Sequence, residues 1–166
     1  IVIPILKADK NKFEINSYRP ISLTCTLCKL LEKIVNRRLV WYLETSHKFI
    51  KQQYGFRRHH STQDFLATLH THISEAIKKK QHTILNALDL EKAYDMVWKN
   101  IVIDILSSWS IDSNMIKFLH NFLTDRTIQV KVNNILSEHT AIENGLPQGS
   151  IISVTLFLVA INDIYL

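Results

Sequence analysis

LNALDLEKAYDMVW, residues Leu85 to Trp98, is the stretch on which the reading of this chain turns. Apolar residues from Ile84 to Leu88 read as a buried strand, and Asp89 stands where that strand ends. A carboxylate leaving an apolar strand can hold a hard, oxygen-seeking cation such as Mg²⁺, which keeps part of its water shell for phosphate oxygens. If residues 91–97 start to coil, Tyr94 falls about one and a half helical turns beyond Asp89 and forms a wall beside whatever the metal holds. On position alone the plainer reading leads, in which Asp89 is a turn former or helix N-cap. A second signal, NGLPQGS at Asn144 to Ser150, shifts the balance toward chemistry.

Around that stretch, 166 residues with 46% hydrophobic content have room for one domain with a sizeable core. Only 3 Gly and 3 Pro occur, so no linker or low-complexity segment divides the chain. The apolar runs are far short of a membrane span, and IVIPILKADK lacks the basic start and cleavage site of a secretory signal. The expectation is a soluble, intracellular chain. Beginning at Ile1 and ending on Tyr165 and Leu166, it reads as a piece of a longer polypeptide. A net charge of +5 favours a polyanionic partner without demanding one. Cys25 and Cys28 form a lone CxxC with neither the extra ligands of a zinc site nor a thioredoxin-like strand before it. They read as two small buried thiols.

Working outward, Ile1 to Leu6 is extended, with Pro4 arguing for a sheet edge. In SYRPISL, Pro20 keeps Arg19 extended and its guanidinium on a fixed stem. Leu27, Leu30, Leu31, Ile34, Val35, Leu39, Tyr42 and Leu43 recur at helical spacing, opposite Lys29, Glu32, Lys33, Asn36 and Arg37. HKFIKQQYGFRRHH interleaves basic and aromatic residues, a pattern suited to nucleic acid through Arg57 and Arg58. A solvated basic loop fits the same residues, with Phe56 buried behind Gly55. Ser61 and Asp64 mark the start of another helix, which ends in Lys78, Lys79 and Lys80. Two helices follow, over Ile101 to Leu106 and Met115 to Leu123. The hairpin Thr127 to Ile142 then turns at Asn133 and Asn134, and an apolar helix runs from Ile151 to Ile164. The fold class is α+β, helices packed on a small, mostly antiparallel sheet.

SYRPISL, KLLEKIVNRRL, QYGFRRHHST, ALDLEKAYDMVW and NGLPQGSIISVTLFLVAINDI stand in one order. In that order they resemble the reverse transcriptase domain of non-LTR retrotransposons, of the LINE type and nearest to jockey-like elements. The resemblance implies right-hand polymerase fingers over about 1–82 and the first part of a palm over about 83–166. It implies DNA synthesis on an RNA template, the primer 3′ hydroxyl attacking a dNTP between two Mg²⁺ ions about 3.5–4 Å apart. Asp89 matches the first metal ligand, with the carbonyl of Leu90 as a second oxygen, and Tyr94 matches the aromatic under the incoming sugar. Gln148 and Gly149 match the loop against the nascent pair and template, with Pro147 stiffening the approach. Arg19 and Lys29 match fingers positions that reach the triphosphate, although Lys29 also reads as a solvated helix residue. Asp95 matches a family position too, and its expected work is to hold the turn after the strand.

Two departures stand out. Ser153 is followed by Val154 where the family has Pro, and the paired aspartates of the family fall beyond Leu166, so the isolated chain is expected to be inactive. The implied partners are RNA template, DNA primer and dNTP, with no membrane, in a nuclear or cytoplasmic ribonucleoprotein. An alternative is a remnant that only binds RNA. A metal-dependent phosphodiesterase would need more clustered acids than Asp89, Glu91 and Asp95.

Overall fold

A computed structural model describes residues 1–165. Strand β1 (Val2–Leu6) pairs antiparallel with β2 (Tyr18–Ser22), and the two prolines Pro4 and Pro20 lie opposite one another. Helix α1 (Thr26–Thr45) follows, then a loop, then α2 (Thr62–Lys78). After a passage without regular structure and a run of turns come α3 (Lys99–Ser108) and α4 (Ser113–Leu123). Next are the short strands β3 (Arg126–Ile128), β4 (Lys131–Val132), β5 (Ile135–Leu136) and β6 (Thr140–Ile142), and finally α5 (Ile151–Ile161).

The mixture of helices and antiparallel strands agrees with the α+β expectation, but the single sheet does not form. Among the described residues the strands make three two-stranded sheets, β1–β2, β3–β6 and β4–β5. A parallel bridge from Val2 to Val130, with the Val2 amide 2.8 Å from the Gln129 carbonyl, ties the first pair to the hairpin. The hairpin turns on Asn133 and Asn134, with φ of 46° and 68°. Asparagine tolerates that left-handed geometry.

The core lies among the C-terminal half of α1, α3, α4 and α5, filled by Leu39, Leu43, Val102, Leu106, Leu119, Leu123, Ile152 and Leu156. Helices α1 and α5 run side by side in one direction. Glu32 meets the start of α5, and the Ile50 amide, just past α1, donates to Asn162 Oδ1 at its end (3.1 Å). Twenty helical residues span about 30 Å and eleven about 16 Å, so α5 cannot cover all of α1. The uncovered N-terminal end leaves Leu27, Leu30 and Leu31 exposed. It also corrects the cysteine reading, because Cys25, the N-cap of α1, and Cys28 are both exposed there.

Two further expectations fail. The strand over Ile84 to Leu88 is absent: residues 81–90 have no regular structure, and Ile84 and Leu88 are 85% and 91% exposed. A strand needs a ladder partner and a covered face, and no described strand pairs with this stretch. Phe56 is exposed at a positive φ of 59°, while Phe49 of the same segment is buried in the core.

Candidate active site

The organising feature is the loop of residues 144–149, held between two parts of the chain. On one side the Gly145 and Leu146 amides donate to the carbonyls of Val97 and Tyr94, each at 2.8 Å. On the other, the Ser22 amide at the end of β2 donates to the Gln148 carbonyl at 2.7 Å. Both glycines are required by this fit. A Cβ on Gly145 (φ 86°) would lie 2.8 Å from the Asp95 carbonyl oxygen, and one on Gly149 (φ 108°) 2.7 Å from that of Ser22. The close approach that Gly149 permits is therefore to the chain's own β2. Gly145 escaped the sequence reading, although Asn144-Gly145 is a turn dipeptide.

Across this seam Gln148 Nε2 donates to Asp95 Oδ1 at 3.2 Å. Asp95 thus does more than hold its turn, which it also does through its amide to the Lys92 carbonyl (2.8 Å). The segment 91–96 is a run of turns, and helix begins only at Lys99. Tyr94 is half-buried and stacks on Phe157 of α5, with ring centroids 5.0 Å apart and planes 20° from parallel. Burial raises its phenol pKa above the ordinary value.

Arg19, Gln148 and Asp95 share a cleft of about 690 Å³ with Lys7, Glu91 and Lys92, three cations against three polar or acidic neighbours. Pro147 and Gln148 also line an adjoining hollow of about 300 Å³, again with Asp95. Asp89 and Leu90 line neither, and both are exposed. The carboxylate that meets Gln148 is Asp95, not Asp89. Among the described residues no group of three His, Cys, Asp or Glu side chains is placed to hold a metal ion. These residues alone therefore do not fit a pair of magnesium ions.

The other expected contacts stand apart. Lys29 is half-buried on α1, and Arg58 is exposed. The Arg57 guanidinium is engaged within the chain. It pairs with Glu44 at 3.0 and 2.7 Å, donates to the carbonyls of Ile50 (2.9 Å) and Gln53 (3.2 Å), and lies over the Phe49 ring. Its hydrogen bonds hold the Glu44 carboxyl below the usual range.

Glu32 was placed on the solvated face of α1 and is in fact buried, accepting from Ser150 Oγ and the Ile151 amide. Helical spacing gave no signal for it, since its partner is 118 residues away.

The family model described as reverse transcriptase (RNA-dependent DNA polymerase) matches residues 5–165. The chain belongs to the reverse transcriptase family. It is 31% identical over 162 residues to an RNA-directed DNA polymerase from the mobile element jockey of Drosophila funebris, covering 98% of this chain and 18% of that protein. A probable RNA-directed DNA polymerase from transposon BS of Drosophila melanogaster is 31% identical over 163 residues, with the same coverage. A Pol polyprotein from the type-1 retrotransposable element R2 of Popillia japonica is 25% identical over 150 residues, 90% of this chain and 20% of that protein. This reverse transcriptase sequence thus spans under a fifth of the length of the jockey and BS relatives. Its likeness to them supports the non-LTR assignment. No described helix is long and apolar enough to cross a membrane.

Proposed function

We propose that this sequence is the fingers and first part of the palm of a non-LTR retrotransposon RNA-directed DNA polymerase, which extends a DNA primer on an RNA template. The observation that carries the proposal is the seam itself. A Gln-Gly loop is pinned between the turn after residues 84–90 and the β2 strand bearing Arg19, so Arg19 and Gln148 face one cleft.

In this reading Arg19 meets the triphosphate from a stem fixed by Pro20 and strand pairing. Lys29 assists from α1. Gln148, held by Asp95, and Gly149, with Pro147 behind them, pack on the nascent pair. Tyr94, its ring fixed by Phe157, lies beneath the sugar and leaves no space for a 2′ hydroxyl. Asp89, with the carbonyl of Leu90, contributes part of a magnesium site. One carboxylate cannot hold two cations, so the remaining ligands have to be supplied from elsewhere in the complete protein. Arg58, exposed in the basic loop, is the better placed of the two arginines to meet template phosphate. The enzyme would act beside its RNA, in the nucleus or a cytoplasmic ribonucleoprotein.

Primer extension on an RNA template by the complete protein tests this. Asp89→Ala is expected to lower kcat, and Gln148→Ala incorporation at subsaturating dNTP, each by about a hundredfold or more while template binding persists. Unchanged incorporation in both variants would overturn the assignment. Template binding by the wild type without any incorporation would instead support the RNA-binding remnant.

A further inference from the structure

We propose that Glu32 is a positioning residue for the 144–149 loop: from α1 its carboxylate fixes where α5 begins, and so where Gln148 stands. The consequence for nucleotide binding rests on the polymerase reading above, whereas the geometry does not.

Glu32 is 3% exposed, and one of its oxygens, Oε2, accepts two hydrogen bonds, from Ser150 Oγ at 2.6 Å and from the Ile151 amide at 2.8 Å. Ser150 is the N-cap of α5, yet its hydroxyl makes no cap bond of its own, and no acid occupies the first turn. The first amides of a helix have no partner within it and carry partial positive charge. In α2 that need is met locally, by Ser61 and Asp64. In α5 it is met by an acid from another helix, so the cap also ties α1 to α5.

A buried carboxylate is costly unless its hydrogen bonds and nearby charge offset the loss of water. Here two short bonds and the helix N-terminus do so. The half-buried Arg126, whose guanidinium pKa burial lowers and the negative charge of Glu32 partly restores, adds to them. The loop is then fixed from both sides of Gly149. The Gln148 carbonyl is held by Ser22, and two residues later Ser150 is held by Glu32. Only Gly149 lies between these anchors, so freeing the Glu32 anchor leaves the loop held on one side of Gly149 alone, and Gln148 less firmly placed.

The test uses the complete reverse transcriptase. Glu32→Ala is expected to raise the KM for dNTP about tenfold while kcat per titrated active site stays within about twofold, because the loop binds ground state and transition state alike. Amide exchange at Ile151 and through residues 144–149 is expected to accelerate about tenfold, with the core of α3 and α4 unchanged. Glu32→Gln keeps an oxygen that can accept both bonds, and is expected to return KM to within about threefold of wild type. Should Glu32→Ala fail to fold, Ser150→Ala removes one of the two bonds and should show the same changes at smaller size.

An unchanged KM with only the active fraction reduced would overturn the proposal, leaving Glu32 a plain structural cap. Unchanged exchange at Ile151 would overturn it as well. If the wild-type protein incorporates no dNTP, the polymerase reading fails, and exchange across 144–151 still decides whether Glu32 fixes the loop.

Discussion

Arg57 and Arg58 are neighbours in sequence and opposites in duty. Arg57 has its side chain 11% exposed and committed to Glu44 and two carbonyls, whereas Arg58 faces solvent. Arg57→Ala should therefore destabilise the domain by about 1 kcal/mol in urea unfolding, since it strips a charged pair and leaves part-buried acceptors to water. Arg58→Ala should leave stability alone and reduce the salt slope of RNA binding by about 0.7. Similar stability losses in the two variants would contradict this division. The sign of the pH dependence follows from Glu44, whose folded pKa lies below the ordinary value near 4.5. Its contribution is present above that value and disappears as pH falls through the lower folded one, so wild type and Glu44→Gln should converge in stability in acid. The pattern of basic and aromatic residues located this loop. It could not divide the two arginines, because only the return of α1 brings Glu44 within reach of one of them.

The elements were legible where their signals are local. Helix α1, Thr26–Thr45, spans all the residues from Leu27 to Leu43 that recur at helical spacing, the Ser61–Asp64 box forms both of its bonds, and the Asn133–Asn134 turn is where the hairpin pattern puts it. Ser61→Ala should accordingly cost about 1 kcal/mol, measured by chemical denaturation, because α2 has no buried side chain to compensate for the lost cap. Gly149→Ala belongs to the same scale. It asks for a Cβ 2.7 Å from backbone at a φ of 108°, and should cost about 2 kcal/mol or more in unfolding, together with most primer extension. Retention of full activity and stability would mean that the loop is not seated on β2. What local signals missed were the long-range closures: Asp95 to Gln148, Glu32 to Ser150, and Gly145 against Asp95. In each case an ordinary turn or surface residue acquires its role from a partner at least 50 residues away.

At the scale of the whole molecule, the α+β class could be read from the sequence but the sheet could not, and the reason lies in residues 84–90. The apolar run Ile84 to Leu88 promises a buried strand, yet no described strand pairs with it, and Ile84, Leu85 and Leu88 face solvent, as do Leu27, Leu30 and Leu31 of α1. Exposed apolar side chains on backbone without ladder partners invite association. The 166-residue chain by itself should therefore self-associate at micromolar concentration in sedimentation velocity, and should fail to extend a primer. Leu88→Lys distinguishes a surface that is merely exposed from one made to be covered. In the isolated chain the lysine should suppress association by breaking the apolar run. In the complete protein, where we expect a strand and its helices to close over residue 88, the same charge would be buried unpaired, lowering stability by about 3 kcal/mol or more. Opposite effects in the two settings are the expected result. If the complete protein tolerates Leu88→Lys without loss of stability, residues 84–90 are a surface segment and the buried-strand reading is wrong.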